Sequence, residues 1–223
     1  MNRIRRILLD RSPNDLQRIA RIYDEHAPTW DAKEGRGENA VLGPMRDRLA
    51  GMLEGNVLEI GVGTGETLHR LQSANAPIDA YTGIDVSTGM LAEASRFADT
   101  SPFPVTLRQM NAENLSALPD AAFDTVTASL VLCTVPDPEA ALREMARVAK
   151  PDGKIVLIEH VLASNPVLAT GQKMLAPLQS RHMACHIDRP TDRFLRDLGF
   201  RVERDETRLL GIVHLLVARP PHG

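Results

Sequence analysis

A glycine-rich segment lies at the end of an apolar run in the first third of the chain. It spans Glu59 to Gly65 and reads EIGVGTG, and the run NVLEI that leads into it predicts a buried strand. Glycine lets the backbone turn sharply and lets a ligand approach the main chain closely. Because ligands of open α/β sheets bind outside the carboxyl ends of the strands, the segment predicts a site for a nucleotide-like ligand.

The spacing of the glycines separates two kinds of ligand. A dinucleotide loop has the pattern G-x-G-x-x-G, whereas here the third glycine, Gly65, comes one residue early and is followed by Glu66. A helix start normally attracts anions, so a carboxylate there favours a ligand without a pyrophosphate. S-adenosylmethionine carries a sulfonium and an ammonium group and no phosphate, and Glu59 could hold the ammonium directly or through water. The pattern favours this ligand, with an NAD-dependent oxidoreductase as the alternative.

A second acidic residue follows the next apolar run. Asp85 lies in TGIDVS, 20 residues after Gly65, at the end of the predicted second strand. A carboxylate at this point can accept hydrogen bonds from both hydroxyls of a ribose. The alternative is a helix cap, a role that Ser87 could share. The glycine loop upstream favours the ribose role.

Short apolar runs alternate with helical patterns from residue 56 onward, which predicts a parallel sheet with helices on both faces. The last two runs, Phe200 to Glu206 and Ile212 to Ala218, are so close in sequence that they predict an antiparallel hairpin. The five strands predicted before them span residues 56–60, 80–86, 105–109, 123–130 and 154–160. The sequence therefore predicts an α/β sheet of seven strands that ends in an antiparallel pair.

Composition narrows the class of protein. The 223 residues, with 43% hydrophobic and 25% charged side chains, fit one globular domain. The net charge of -3 offers no basic face, so we expect no nucleic-acid partner. The two cysteines, Cys133 and Cys185, are far apart in sequence, which favours reduced thiols and a cytoplasmic location over a disulfide scaffold.

The sequence predicts no membrane span, because no apolar run approaches the roughly 20 residues that a bilayer requires. The first ten residues, MNRIRRILLD, lack the long apolar region of a signal peptide. Their basic and apolar residues leave a weak membrane-surface association open, and the alternative is a helix that packs on the domain.

Several segments together resemble the class I S-adenosylmethionine-dependent methyltransferases. Besides the glycine loop and Asp85, they are MNAE at 110–113, FDTV at 123–126 and LREMARVAKPDGK at 142–154, which is similar to the ubiquinone and menaquinone C-methyltransferases. The resemblance implies a Rossmann-like seven-stranded class I sheet with an N-terminal helical lid. Asn111 stands where the family often has aspartate, and its carbonyl oxygen could still bind the adenine amino group.

A narrower resemblance covers the second half of the chain. The segments LVLCTV at 130–135, EHV at 159–161 and Ala184-Cys185, followed by Arg189, resemble the branch that contains alkyl-thiol methyltransferases and bacterial phospholipid N-methyltransferase-like proteins.

These resemblances imply methyl transfer from S-adenosylmethionine, with S-adenosylhomocysteine as product, to a small-molecule acceptor at sulfur, oxygen, nitrogen or carbon. A protein that binds the cofactor without turnover is the alternative, and the chain is expected to be a monomer or a homodimer. The lid would cover residues 1–53 and the methyltransferase domain 54–223, with a cap-like insertion at about 162–190. The implied cofactor-binding residues are Glu59, Gly61, Gly63, Thr64, Gly65, Asp85, Val86, Met90, Asn111, Ala112, Ser129 and Leu130.

Four residues are candidates for the catalytic step. His160 and Glu159 end the fifth predicted strand, and His160 is the candidate base because imidazole titrates near neutral pH. Tyr23 and His26 lie in the predicted lid. The alternatives are a histidine that fastens the strand end and ordinary packing of the lid.

His182, Cys185 and His186 are candidate ligands for a metal site. On a helix the two histidines would share a face, but no fourth ligand has clear spacing. Pro177 and Pro190 bracket the segment and predict that any helix there is short. The sequence therefore predicts no metal, and this segment is expected to line an acceptor pocket or to pack as a cap.

Overall fold

The computed structural model describes residues 13–32, 36–74 and 76–221, with side chains described for 15–32, 41–74 and 76–221. The N-terminal segment MNRIRRILLD, for which the sequence leaves a membrane-surface contact open, lies outside the described residues. Among the described helices, none combines the length and the apolar character needed to cross a bilayer.

Helices and strands alternate along most of the chain. The helices are α1 (Pro13–His26), α2 (Arg36–Ala50), α3 (Glu66–Ala74), α4 (Thr88–Ala98), α5 (Pro138–Val148), α6 (Pro166–Met183) and α7 (Thr191–Asp197). The strands are β1 (Gly55–Ile60), β2 (Ile78–Asp85), β3 (Val105–Gln109), β4 (Phe123–Ser129), β5 (Ala149–His160), β6 (Arg201–Arg208) and β7 (Val213–Arg219). Short 3-10 helices lie at Ala27–Thr29 and Leu209–Gly211.

The strands form one seven-stranded sheet in the order β3-β2-β1-β4-β5-β7-β6. The first five pair in parallel, and β7 is antiparallel to both β5 and β6. The predicted class I sheet with its terminal antiparallel hairpin is therefore confirmed. The strand order reverses between β1 and β4, and such a reversal opens a crevice at the carboxyl ends of the strands.

Each face of the sheet carries its own hydrophobic core. Along β1, Leu58 and Ile60 pack into one cluster with α5, whereas Val57 packs on the opposite face with α2 and α3. Side chains alternate across a strand, so a strand that is covered on both faces must be apolar almost throughout. This explains why NVLEI is a continuous apolar run, and it makes the buried Glu59 within the run an exception that needs a partner.

The segment after β5 differs from its prediction. Residues 166–183 form a single helix of 18 residues, α6, and Pro177 lies inside it, so the prediction of a short helix bounded by proline was wrong. The helix begins with Asn165, whose side chain accepts from the backbone N–H groups of Val167 and Leu168. Much of α6 is exposed, and an exposed helix can bend around the missing hydrogen bond of a proline.

Candidate active site

The loop between β1 and α3 forms part of the wall of a cavity. Gly61 and Gly63 both adopt left-handed conformations, with φ of 65° and 54°. A Cβ at Gly61 would lie 2.4 Å from a methyl carbon of Val131, so glycine is required there by space as well as by φ. The N–H of Gly63 donates to Asp85 Oδ2 at 3.0 Å, which fixes the loop to the end of β2.

The cavity lies at the carboxyl ends of β1, β2, β4 and β5 and has a volume of about 520 Å³. This is a usual size for a small-molecule or cofactor site. Its wall contains eleven of the twelve cofactor-binding residues expected from the sequence: Glu59, Gly61, Gly63, Thr64, Asp85, Val86, Met90, Asn111, Ala112, Ser129 and Leu130. Gly65 instead packs on α4, where a Cβ would lie 3.0 Å from Phe97 and 3.1 Å from Ala94.

Glu59 is a buried carboxyl in the cavity wall. One of its oxygens accepts from Thr67 Oγ1 at 2.7 Å, and the other accepts from the Tyr81 hydroxyl. Burial raises the pKa of Glu59 to about 7, and the hydrogen bonds from Tyr81 and Thr67 oppose that rise. A cation in the cavity would favour the charged form of this group.

Asp85 follows the same pattern at the end of β2. Its Oδ1 accepts from the N–H of Ser87 at 2.9 Å and its Oδ2 from the N–H of Gly63. Burial raises the pKa of Asp85 against these bonds. The alternative role for Asp85, capping the next helix, is filled by Ser87, whose side chain accepts from the N–H of Met90. Asp85 instead holds the glycine loop and lines the cavity.

Helices α1 and α6 close one side of the cavity together. The Tyr23 hydroxyl donates to the carbonyl of Met183 at 3.2 Å, and the Arg18 guanidinium donates to the carbonyl of Arg181 at 2.7 Å. Tyr23 lies in the cavity wall and packs against Trp30 with ring centroids 5.6 Å apart. His26, the other candidate of this segment, lies at the end of α1, outside the wall that the described residues form.

Two acidic residues of the N-terminal segment were not singled out from the sequence. Asp24 accepts from Ser87 Oγ at 2.6 Å and from the N–H of Gly89 at 2.8 Å, so α1 is tied to the start of α4. Asp31 lines the cavity and accepts from Thr64 Oγ1 at 2.8 Å. No local pattern marks either residue, because their partners are more than 30 residues away in sequence.

The two residues at the end of β5 take different positions. His160 lies in the cavity wall, whereas Glu159 is completely buried behind it. Glu159 Oε1 accepts from the N–H groups of Val131 and Leu132 at 2.9 and 2.8 Å, and burial raises the pKa of this carboxyl to about 7. Its position supports a role in holding the turn after β4, rather than the direct catalytic role expected from the sequence.

The structure brings Cys133 and Cys185 together beside His160. The two Sγ atoms are 3.2 Å apart, and Cys185 Sγ lies 3.7 Å from His160 Nδ1. The neighbouring Cys133 thiol lowers the pKa of Cys185 to about 6 against the effect of burial, and it is Cys133 whose pKa is raised. Since 52 residues separate the cysteines, their spacing in sequence gave no sign of the contact.

Comparison with known proteins identifies the family. Residues 58–157 match a family model described as a methyltransferase domain. A phosphatidylethanolamine N-methyltransferase from Cereibacter sphaeroides is 39% identical over 149 residues, which is 64% of this chain and 68% of that protein. The ubiquinone/menaquinone biosynthesis C-methyltransferase UbiE from Ectopseudomonas mendocina is 36% identical over 159 residues, 69% of this chain and 62% of the relative.

A solved structure agrees on the fold. The putative methyltransferase that was solved in complex with the Trm112 activator of Haloferax volcanii superposes with a TM-score of 0.70 at 19% identity, over 90% of this chain and 98% of that one. Sheet order, glycine loop and sequence similarity together define a methyltransferase. The chain belongs to the class I S-adenosylmethionine-dependent methyltransferases and is related to the UbiE-type enzymes.

Proposed function

We propose that this enzyme transfers the methyl group of S-adenosylmethionine to a small-molecule acceptor and releases S-adenosylhomocysteine. The observation that carries the proposal is the pair of carboxyls, the buried Glu59 and the half-buried Asp85, on either side of the glycine loop in one cavity. The donor offers an ammonium group to Glu59 and two ribose hydroxyls to Asp85. A dinucleotide would instead bring a pyrophosphate toward Glu59 and Glu66.

The remaining wall fits the other parts of the donor. Asn111 Oδ1 accepts from the N–H of Glu113 at 3.0 Å, and its second lone pair is available to the adenine amino group. Ser129 Oγ is buried in the wall without a hydrogen-bond partner among the described residues. A buried hydroxyl that has no protein partner is expected to bond with a bound ligand.

The reaction is an in-line displacement at the methyl carbon. The acceptor atom supplies the electron pair of the new bond, and the pair of the broken bond stays on the donor sulfur, which loses its positive charge. The main contribution of the protein is to hold the two reactants in line and to exclude water. We assign to His160, which lies in the cavity wall, the role of taking a proton from acceptors that must lose one.

Calorimetric titration with S-adenosylmethionine and with NAD tests the donor assignment. Asp85→Ala should weaken binding of S-adenosylmethionine by ~10- to 100-fold, because hydrogen bonds from the ribose to a half-buried carboxylate are lost. Asp79→Ala is the matched control, since Asp79 is an exposed acid of the same strand. Unchanged affinity in Asp85→Ala, or binding of NAD without binding of S-adenosylmethionine, would contradict the proposal.

A labelled-methyl assay with thiols, phenols, amines and phospholipids tests turnover. The names of the two relatives make an amine headgroup and a quinol the first acceptors to try. Product with at least one acceptor class supports the proposal. Tight donor binding without product from any class would instead favour a protein that binds the cofactor without turnover.

A further inference from the structure

We propose that Cys133, His160 and Cys185 bind one zinc ion, and that its fourth coordination position faces the cavity. All three residues line the cavity, and their ligand atoms lie within 4.8 Å of one another. Two cysteines and one histidine with an open position form one of the known donor sets of zinc in proteins. Soft thiolate ligands also disfavour magnesium and calcium.

One of the ligand-atom distances already matches a tetrahedral ion, and the whole set, which lies within 4.8 Å, must contract by roughly an ångström at its widest. Zinc–sulfur bonds near 2.3 Å and zinc–nitrogen bonds near 2.0 Å place two sulfurs about 3.8 Å apart and a sulfur and a nitrogen about 3.6 Å apart. The distance from Cys185 Sγ to His160 Nδ1 is 3.7 Å. The two sulfurs are 3.2 Å apart, so the thiols must separate by roughly half an ångström to admit the ion.

The main chain around the cysteines is held rigidly from behind. Glu159 accepts from two N–H groups of the turn that carries Cys133, and Arg189 donates to the carbonyls of Leu132 and Val135 on either side of that cysteine, at 2.5 and 2.6 Å. Ala184, immediately before Cys185, has a left-handed φ of 54°. Such fixed supports are what metal ligands require if their geometry is to be set in advance.

The ion would change the role of His160. A histidine that binds zinc through Nδ1 cannot serve as a base at that nitrogen, so the open coordination position would meet the acceptor instead. This part rests on the proposed methyl transfer. The metal site itself does not, and it is therefore tested without donor or acceptor.

The first experiment measures the metal content of the full chain. Protein is purified under reducing conditions, dialysed against zinc and analysed by mass spectrometry of the metal. We expect one zinc per chain, with the dissociation constant raised by more than ~100-fold in Cys133→Ser and in Cys185→Ser. His182→Ala is the matched control and should bind zinc normally, because His182 lies on the same segment outside the cluster.

Cobalt substitution gives a second readout that does not depend on activity. Binding through thiolates produces a sulfur-to-cobalt charge-transfer band and the intense visible bands of a tetrahedral ion. Added azide should shift the visible bands if the fourth position is open, and an unchanged spectrum would refute the open position. The metal site is refuted if the chain binds no zinc or if Cys133→Ser binds it normally. It is also refuted if the mass of the protein, purified under reducing conditions, shows that Cys133 and Cys185 are joined in a disulfide.

Failure of this proposal and failure of methyl transfer give different results. Loss of zinc binding with normal titration of S-adenosylmethionine leaves the proposed function standing. Normal zinc binding without affinity for S-adenosylmethionine supports the metal site and contradicts the proposed function.

Discussion

Replacing Glu59 by glutamine should remove a pH dependence from the stability of the fold. Burial raises the pKa of this carboxyl from its usual 4.5 to about 7. Between these values the folded protein retains a proton that the unfolded chain has lost. The contribution to stability is therefore present in full below pH 4.5 and is lost as the pH rises through about 7. The pKa difference corresponds to roughly 3 kcal/mol.

Urea unfolding of the wild type and Glu59→Gln, without donor, measures this effect. From about pH 4.5 to about pH 8, the free energy of unfolding of the wild type should fall relative to the variant by roughly 3 kcal/mol. Glutamine keeps one carbonyl oxygen for the donors Thr67 and Tyr81, so the lost second acceptor adds only a constant offset. Glu159 also has a raised pKa, but it is present in both proteins and cancels. Parallel curves for the two proteins would refute the reasoning.

The same group links donor binding to protons. If the ammonium of S-adenosylmethionine binds ionised Glu59, the protein must release a proton when it binds the donor below about pH 7. Calorimetry in two buffers of different ionisation enthalpy detects that proton. Glu59→Gln should show no such difference, and a wild type that releases no proton would place the ammonium elsewhere.

Three further variants test the glycine loop and the attachment of α1. Gly61→Ala combines a left-handed φ with a Cβ that would collide with Val131, so donor affinity should fall by at least ~10-fold. Gly63→Ala has the same sign of φ but no atom within 4 Å of its Cβ, so it should lower the free energy of unfolding by only about 1–2 kcal/mol and affect donor affinity less. Equal affinities in the two variants would contradict this. Asp24→Ala removes the hydrogen bonds from Ser87 and Gly89 to α1 and should lower the free energy of unfolding by about 1 kcal/mol or more in thermal denaturation, with Glu25→Ala at the exposed neighbour as control.

The sheet and the part of the cavity around the glycine loop could be predicted because neighbouring residues mark them in the sequence. The apolar run before Gly61 and the acid at the end of the second strand each mark a strand end by neighbouring residues. Parallel strands then bring those ends to one edge of the sheet. This is why residues as far apart as Glu59 and Asn111, which were inferred separately, line the same cavity.

The part of the cavity near α6 could not be predicted in the same way. Pro177 predicted a short helix, but in the folded protein the proline lies inside the 18-residue helix α6. The sequence grouped Cys185 with His182 and His186 because they are neighbours in the chain, whereas the structure places it beside Cys133 and His160. Those contacts arise only when the turn after β4, the end of β5 and the end of α6 meet, and no periodic pattern records such a meeting.

The position of β7 has a consequence for how the chain reaches this fold. It follows every other described strand in the chain, yet it lies between β5 and β6 in the sheet. During synthesis, the edge of β5 therefore remains without a partner until residues 213–219 have left the ribosome. A chain that stopped before Val213 would expose that apolar edge to other chains and to proteases. The sheet therefore closes only in a chain that extends through β7, and a chain cut short before this strand leaves β5 without its partner.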